Sequence, residues 1–320
     1  MTEPHQAVES LGDGIYRIDT KMHRPGLDAC YLLGGDQHWA LVDTGPATCS
    51  ATVLAGLEAV GVAPEALRLI CPTHVHLDHA GGVGSLLQHL PNAQVLAHER
   101  ALGHLVDPSR LNAGARAVYG EEELLRLFGY LEPVPVERIR AVTDGEIVHL
   151  DKRELKFIDS PGHARHHYCV WDASSRGFFS GDAFGLSYRE FDNANGAFIL
   201  PTTTPVQFDP QGWHRTLDRM LEHEPEQVYL THFGRVRQIP ALAANLRQGI
   251  DAYSEIARRH AGDGRARHAN LVQVLTEDAL RRLAVHGCKL PEARSRELLA
   301  MDIELNAQGL GVWLDRQTRH

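Results

Sequence analysis

Cysteine is scarce in this chain of 320 residues, and its distribution excludes two classes of small scaffold. The cysteines are odd in number, scattered along the sequence, and include no C-x-x-C pair. A disulfide framework and a zinc knuckle both need cysteines at close, paired spacings. We therefore expect most of them to be small apolar core residues: Cys30, Cys49, Cys71, Cys169 and Cys288.

Long apolar runs and an excess of positive charge are also missing. No stretch approaches the length of a membrane span, and residues 1–10 are polar, without the apolar core of a secretion signal. The formal net charge is −9, which disfavours a general nucleic-acid surface. We therefore expect a cytoplasmic protein whose partner is neither a nucleic acid nor a membrane.

Histidine, in contrast, is abundant, and one short segment holds four potential metal ligands. Residues 73–82 read Thr-His-Val-His-Leu-Asp-His-Ala-Gly-Gly and follow an apolar run that predicts a buried strand. In an extended backbone, positions two apart point the same way, so His74 and His76 can reach one metal ion together. Asp78 and His79 come just past the turn and can reach a second ion. Histidine combined with carboxylate suits Zn, Fe or Mn. The alternative is a polar surface loop with chance histidines.

The segment resembles the His-x-His-x-Asp-His signature of the metallo-β-lactamase-fold superfamily, and further pieces follow in the family's order. A Pro-Gly-His ending at His163, a Gly-Asp turn at Asp182 and a late histidine at His232 resemble the family's other motifs. Each follows an apolar run and lies beside glycine or proline. The resemblance covers roughly residues 14–235 and is strongest to the hydroxyacylglutathione hydrolase-like branch.

The resemblance implies a ligand set for two divalent metal ions, with zinc favoured and iron or manganese as alternatives. Two such ions about 3.5–4 Å apart lower the pKa of a shared water to about 7, and a metal-bound hydroxide then attacks the substrate. Asp78 would orient that hydroxide while it ligates, which makes it the expected catalytic residue. The implied ligands are His74, His76 and His163 for the first ion, Asp78, His79 and His232 for the second, and Asp182 between them.

Two residues are expected to support these ligands. Asp43 follows a predicted strand, where the family usually has an Asp-x-Gly close under the metal site, and we expect it to orient a ligand histidine. A turn or a helix cap is the alternative role for Asp43. His167 lies four residues after His163, where relatives often carry another histidine, and is expected to contact a ligand or the core. We interpret the other singled-out histidines as hydrogen-bonded structural residues: His98, His104, His149, His166 and His214.

A long segment without clear secondary structure, residues 184–209, follows the Gly-Asp turn. Loops of this length are often functional. We expect Phe184 and Tyr188 to line an apolar substrate pocket and Arg189 to hold an anionic substrate group. The alternative is that Arg189 pairs with a carboxylate such as Asp192.

The remaining pattern predicts an α/β fold, a four-layer αββα metallo-β-lactamase sandwich with a C-terminal helical extension. Short β-rich runs fill residues 14–42 and 146–180. A polar helical insertion at residues 99–129 either forms a wall of the active-site cleft or packs outside the sheet. We expect residues 1–238 to form the metallo-β-lactamase-fold domain and residues 239–320 to form a helical C-terminal extension. A homodimer through these helices and plain solvated helix faces are equal alternatives.

The resemblance therefore implies a dinuclear metal-dependent hydrolase whose partner is a small-molecule substrate, a thioester or a related ester. Asp182 occupies the bridging position, whereas zinc β-lactamases of the commonest class have cysteine there, which disfavours antibiotic hydrolysis. A phosphodiesterase or a lactonase is the alternative enzyme, although only Tyr188 stands near the position of the lactonase tyrosine. A non-hydrolytic di-iron protein that senses or binds oxygen or another small ligand is the alternative from a different class.

Overall fold

The computed structural model describes residues 7–203, 207–262 and 264–317 of the chain. Most of the polar N-terminal segment, together with Thr204 and Pro205 of the predicted loop, lies outside the described residues. The described chain falls into two compact units. The first takes its residues from Met1–Asp159, His166–Gly181 and Pro225–Arg235, and the second from Ser160–Arg165, Asp182–Glu224 and Val236–His320.

A seven-stranded mixed sheet in the first unit has its strands in chain order from edge to edge. The first four strands pair antiparallel, and the fourth to seventh pair parallel. Parallel neighbours end at the same edge of a sheet, so the segments that follow the fourth, fifth and sixth strands are brought together. The strands are β1 (Val8–Gly12), β2 (Ile15–Asp19), β3 (Ala29–Gly34), β4 (Trp39–Val42), β5 (Leu67–Cys71), β6 (Gln94–His98) and β7 (Ile139–Val142).

A second mixed sheet has six strands in the order β13-β12-β11-β10-β9-β8. β8 to β11 pair antiparallel, and β11 pairs parallel with β12. These strands are β8 (Ile147–Leu150), β9 (Arg153–Asp159), β10 (Tyr168–Asp172), β11 (Gly177–Gly181), β12 (Gln227–Leu230) and β13 (Gly234–Val236).

Helices lie between and after the strands, and the predicted helical insertion is present as three short helices. None of the helices in the described part of the chain combines the length and the apolar character that a membrane span requires. In the first unit they are α1 (Ser50–Val60), α2 (Leu77–Ala80), α3 (Val83–Leu87), α4 (Leu102–Val106), α5 (Ser109–Tyr119) and α6 (Glu121–Leu127). In the second unit they are α7 (Pro210–Leu221), α8 (Ile239–Arg259), α9 (Gly264–His286) and α10 (Glu292–Gln317).

The structure adds a strand that the sequence pattern did not reveal. The first β-rich block was expected to begin at residue 14, whereas β1 already starts at Val8. Only Leu11 of this strand is buried, because β1 is an edge strand. An edge strand with a single buried side chain shows little of the apolar–polar alternation by which strands are recognised.

The two sheets pack face to face through aromatic and aliphatic side chains of the first unit. The ring centroid of Tyr31 on β3 lies 5.4 Å from that of Phe179 on β11 and 5.6 Å from that of Tyr229 on β12. The buried hydroxyl of Tyr168 on β10 donates to the carbonyl oxygen of Leu96 on β6, 2.6 Å away. Each tyrosine therefore adds apolar area to the core, and the Tyr168 hydroxyl keeps a hydrogen-bond partner there.

A buried ion pair joins β9 to β10 and also reaches the first sheet. The Arg153 guanidinium donates to the Asp172 carboxylate at 3.0 and 2.6 Å. Its remaining nitrogen donates to the carbonyl oxygens of Asp13 and Gly34 at 2.7 and 2.9 Å. Both charged side chains are almost inaccessible, at 6% and 0% exposure, so each depends on the other for compensation of its charge.

We expect Asp172→Ala to lower the free energy of unfolding by about 3–5 kcal/mol, because it leaves a buried guanidinium without its counter-charge. Asp36→Ala is the matched control, since its Lys152 pair is exposed at 57% and 89%. That variant should change the free energy of unfolding by about 0.5 kcal/mol or less. Denaturant unfolding followed by circular dichroism measures both free energies. Equal losses of stability in the two variants would contradict the larger contribution expected from the buried pair.

Candidate metal centre

β5 leads directly into the histidine-rich segment, whose first two histidines lie side by side. His76 has extended backbone angles, φ −64° and ψ 151°, and precedes the single turn of α2. Nε2 of His74 lies 2.8 Å from Nδ1 of His76. A Cβ atom added at Gly81 would lie 2.2 Å from the carbonyl oxygen of Leu77 and 3.0 Å from the Cα of Pro46. Glycine is therefore required where this segment packs against the turn after β4.

Asp78, His79 and His232 form a cluster whose ligand atoms all lie within 4.8 Å of one another. Oδ2 of Asp78 is 3.3 Å from Nε2 of His232 and 3.7 Å from Nε2 of His79. On the opposite side of each ring, Nδ1 of His232 lies 3.0 Å from the Leu27 carbonyl oxygen, and Nδ1 of His79 lies 2.8 Å from Oδ2 of Asp43. Because an acceptor faces each Nδ1, that nitrogen carries the proton and Nε2 presents its lone pair.

Asp43 is a buried junction between three segments. Its carboxylate accepts hydrogen bonds from the backbone N–H of Thr73 at 2.7 Å, from the Thr73 hydroxyl at 3.1 Å and from the Thr231 hydroxyl at 2.7 Å. Its backbone φ is +56°, a left-handed conformation that aspartate tolerates better than most residues. These contacts connect the ends of β4, β5 and β12, and the fourth contact orients His79.

His163 and Asp182, the two predicted ligands of the second unit, lie next to each other. Nε2 of His163 is 3.3 Å from Oδ2 of Asp182. Nδ1 of His163 lies 2.8 Å from the carbonyl oxygen of Thr202. The preceding residue, Gly162, has φ +141°, and a Cβ atom there would lie 2.4 Å from the Cβ of Trp213. This unit therefore repeats the arrangement of the first, with Nδ1 held by an acceptor and Nε2 facing a carboxylate.

Both groups of side chains have donors that suit a divalent metal ion. The first unit offers two imidazoles and one carboxylate in its cluster, and the second offers one imidazole and one carboxylate. Mixed nitrogen and oxygen ligands of this kind suit Zn, Fe or Mn. The number of ions, their identity and the joint use of all seven ligands stay predictions from the resemblance.

Two further histidines of the first unit lie against the ligand histidines. The ring of His167 stacks on that of His74, with centroids 4.8 Å apart. The ring of His166 stands edge-on to that of His76 at 5.7 Å. Both residues are buried, so they restrict the rotation of the two rings that they touch.

The predicted substrate residues are engaged within the second unit. Phe184 and Tyr188 are buried, and the Tyr188 hydroxyl donates to the Asp302 carboxylate at 2.9 Å. The Arg189 guanidinium donates to the Ser187 carbonyl oxygen at 2.7 Å and pairs with Asp192 at 3.1 Å. The Asp192 pair is the alternative that the sequence left open, and a substrate role for these residues stays a prediction.

The helical insertion lies close to the cluster. The Thr48 hydroxyl donates to the carbonyl oxygen of Leu127 at the end of α6, 2.9 Å away. Tyr119 at the end of α5 packs on Phe128, with ring centroids 5.0 Å apart. Burial raises the pKa of Tyr119 to about 12, and the negative charge of Asp78 contributes to that shift. These contacts connect the insertion to the turn after β4, and its two predicted roles, a wall of the cleft and packing outside the sheet, both stay predictions.

Sequence reasoning missed the groups that orient the ligand histidines. Leu27 and Thr202 act through backbone carbonyl oxygens, which leave no signal in the side-chain pattern. Thr73 and Thr231 could have been found, because each directly precedes a ligand histidine in a Thr-His pair. Both threonine hydroxyls donate to the same carboxylate of Asp43.

A buried carboxyl group with a shifted pKa lies just before β3. Burial raises the pKa of Asp28 to about 7, although the nearby charge of His232 and the Thr20 hydroxyl oppose the shift. The Thr20 hydroxyl donates to Oδ2 of Asp28 at 2.5 Å. Oδ1 has no hydrogen-bond partner among the residues that the structure describes, which explains why ionisation is unfavourable here.

Comparison with known proteins identifies the family. The profile of the metallo-beta-lactamase superfamily matches residues 23–232, more than half of the chain. The chain belongs to the metallo-β-lactamase superfamily. The predicted fold class is thereby confirmed: the two mixed sheets with their helices are the α/β sandwich of this superfamily, followed by C-terminal helices. Members of the superfamily bind metal ions, in keeping with the donor groups described above.

Several relatives are similar to parts of the chain. The metallo-beta-lactamase fold-containing protein ST1585 of Sulfurisphaera tokodaii is 29% identical over 216 residues, 66% of this chain and 75% of that protein. Acyl-coenzyme A thioesterase MBLAC2 of Gallus gallus is 31% identical over 191 residues, 55% of this chain and 65% of that protein. Type A flavoprotein fprA of Rhodobacter capsulatus is 33% identical over 174 residues, 52% of this chain. The chain spans only 34% of that flavoprotein and just under two thirds of the thioesterase.

Solved structures show the same fold over nearly the full chain. The crystal structure of ST1585 from Sulfolobus tokodaii has a TM-score of 0.66 and 23% identity, and covers 93% of this chain and 98% of that one. TTHA1429 from Thermus thermophilus has a TM-score of 0.69 and 19% identity, and covers 97% of this chain and 95% of that one. Matches of this extent include residues of the C-terminal helices.

Asp43→Asn tests whether the carboxylate orients His79 for metal binding. Asparagine tolerates the left-handed backbone but replaces one acceptor oxygen with a donor group. We expect metal affinity to fall about 10–100-fold, measured by zinc competition against a chromophoric chelator. Asp151→Asn is the matched control, because Asp151 also has a left-handed φ of +55° and also contacts a histidine, His38. Unchanged affinity in Asp43→Asn, or an equal loss in the control, would refute the role.

Asp28→Asn tests the buried carboxyl group in metal-free protein. Between the ordinary carboxyl pKa and about pH 7, the folded state keeps a proton that the unfolded chain has released. Stability therefore falls as pH rises through this window. We expect the variant to match the natural protein near pH 4 and to exceed it by up to about 4 kcal/mol at pH 8. Denaturant unfolding at both pH values measures the difference. The control Asp36→Asn keeps Asp28, so it should not gain stability over the natural protein at pH 8. Lower stability of Asp28→Asn than of the natural protein at pH 8 would contradict the raised pKa of Asp28.

Proposed function

We propose that the protein hydrolyses acyl thioesters, using two divalent metal ions. The observation that carries the proposal is the cluster of Asp78, His79 and His232, found in a chain of this superfamily. Relatives support the thioester class. They include acyl-coenzyme A thioesterase MBLAC2 of Gallus gallus and of Homo sapiens, and the atrochrysone carboxyl ACP thioesterase of Aspergillus chevalieri. The resemblance to the hydroxyacylglutathione hydrolase-like branch points to the same class.

The residues that would hold the ions are the seven predicted from the resemblance. When bound, the metal pair supplies an activated water and a Lewis acid for the carbonyl oxygen of the substrate. Hydrogen-bond acceptors face Nδ1 of His79, His163 and His232. They keep the proton on Nδ1 and leave the Nε2 lone pairs available for a metal ion. The full set is His74, His76, Asp78, His79, His163, Asp182 and His232.

Asp78 has the central role among these side chains. Its Oδ2 lies within 4 Å of Nε2 of both His79 and His232. A carboxylate has two acceptor oxygens, so Asp78 can ligate an ion and also accept a hydrogen bond from the attacking water. We therefore propose that Asp78 ligates an ion and orients the attacking water. The reaction needs no serine or cysteine nucleophile and no strong general acid, because a thiolate leaves easily.

The rival functions rest on weaker observations. A lactonase would use a tyrosine near the bridging aspartate, yet the Tyr188 hydroxyl is engaged by Asp302. A phosphodiesterase would be expected to have several cationic side chains around the cleft, because its substrate is anionic. A di-iron protein that binds oxygen stays an alternative because mixed nitrogen and oxygen ligands also suit iron. The flavoprotein relative matches this chain over only 34% of its own length. The thioesterase relatives therefore support the thioester class over these rivals.

The test is a substrate panel combined with metal analysis. Zinc-, iron- and manganese-loaded protein is assayed with acyl-coenzyme A thioesters, a lactone and bis-p-nitrophenyl phosphate. We expect thioester turnover, and we expect His76→Ala and Asp182→Ala to lose both bound metal and turnover, because each removes a proposed ligand. His149→Ala, which removes an exposed histidine of β8, is the matched control and should keep both. Full activity of metal-free protein, or turnover of the phosphodiester alone, would refute the proposal.

A further inference from the structure

The C-terminal helix α10 is hydrogen-bonded to the segment that follows the predicted bridging aspartate. Asn306 in the middle of α10 is buried, with 2% of its surface exposed. Its Oδ1 accepts hydrogen bonds from the backbone N–H and the hydroxyl of Thr203, the latter at 3.0 Å. Its Nδ2 donates to the carbonyl oxygen of Pro201 at 3.2 Å. Both ends of the Asn306 amide are therefore bonded to the residues on either side of Thr202.

Thr202 lies between these two anchored residues and contacts His163. Its carbonyl oxygen is 2.8 Å from Nδ1 of His163, and its hydroxyl is 3.1 Å from the same nitrogen. The carbonyl is an acceptor, so it keeps the imidazole proton on Nδ1 and turns Nε2 towards Asp182, 3.3 Å away. Because the peptide groups before and after Thr202 are held by Asn306, the direction of this carbonyl depends on α10.

A second contact one turn earlier on the same helix acts on the same segment. Asp302 precedes Asn306 by four residues, so both side chains lie on one face of α10. The Asp302 carboxylate accepts the hydrogen bond of Tyr188. Asp302 and Asn306 therefore contact this segment near its beginning and near its end, at Tyr188 and Thr203.

We propose that Asn306 is a positioning residue for His163: it fixes residues 201–203 so that the Thr202 carbonyl orients the His163 imidazole for a metal ion. The inference rests on the proposed metal centre and assigns α10 a part in it. It makes the affinity of one metal site depend on a side chain 143 residues further along the chain than the ligand itself.

A purely structural role for Asn306 makes a different prediction. If the amide only attached α10 to the second unit, its loss would lower the stability of the fold, and metal affinity would not depend on whether His163 is present. If Asn306 acts through His163, its removal weakens only the metal binding that needs His163. Removing both side chains should then cost no more affinity than removing His163 alone.

The experiment is a cobalt(II) titration of full-length, metal-free protein, followed by the visible absorption of the bound ion and without any substrate. Four variants are compared with the natural protein: His163→Ala, Asn306→Ala, the double variant, and Gln308→Ala. Gln308 is the matched control, since it is an amide on the same helix whose side-chain nitrogen, Nε2, donates to Glu304 within that helix. Circular dichroism establishes that each variant is folded.

We expect Asn306→Ala to weaken the His163-dependent binding step about 10–100-fold, the usual effect of losing a group that orients a ligand. The double variant should bind cobalt as His163→Ala does, and Gln308→Ala should bind as the natural protein does. Natural affinity in Asn306→Ala, or an additional loss in the double variant, would overturn the inference. If Asn306→Ala does not fold, Asn306→Asp keeps the acceptor for Thr203 and loses the donor to Pro201, and must weaken the same step.

The outcomes separate this inference from the proposed function. Unchanged cobalt binding in His163→Ala would refute the proposed metal centre and the inference together. A loss in His163→Ala without a loss in Asn306→Ala would overturn the inference alone. An absence of thioester turnover would refute the proposed activity but leave the cobalt result intact, because the titration contains no substrate.

Discussion

The candidate metal centre in the first unit depends on one buried carboxylate, that of Asp43. It receives hydrogen bonds from the segment after β5, from the end of β12 and from His79, a predicted ligand. A buried charge is costly unless several donors compensate it, and four donors do so here. The same contacts bring together His79 and the Thr231-His232 pair, which are far apart in the sequence. The position of the donor atoms is thus a consequence of how this single charge is satisfied.

Three of the five predicted ligand histidines, from both units, share one arrangement. His79, His163 and His232 each direct Nδ1 at an acceptor within about 3 Å and Nε2 at a carboxylate. The acceptors are a carboxylate in one case and backbone carbonyls in the other two. A histidine held in this way has its tautomer and its ring plane set before any ion binds, which reduces the entropy lost on binding. This arrangement explains why residues without any metal-binding chemistry of their own still decide the properties of the site.

The surrounding helices also make hydrogen bonds to segments near the predicted ligands. The helical insertion α4–α6 is connected to the turn after β4, because the Thr48 hydroxyl donates to the carbonyl oxygen of Leu127. In the second unit, α10 contacts the segment that follows Asp182 at Tyr188 and Thr203. Helices whose sequences look like ordinary amphipathic or mixed-charge segments therefore make specific hydrogen bonds to segments that neighbour predicted ligands.

The sequence by itself determined the family, the fold class and the candidate ligands. Metal ligands need particular residue types at short spacings, and His74, His76, Asp78 and His79 carry that pattern locally. It also indicated Asp43, since an acidic residue before Gly-Pro at a strand end is a local signal. It could not show which groups would orient the ligands. The carbonyls of Leu27 and Thr202 and the amide of Asn306 have no local signature. Only the tertiary structure decided these contacts, because a hydrogen bond between residues far apart in the chain exists only after the backbone has folded.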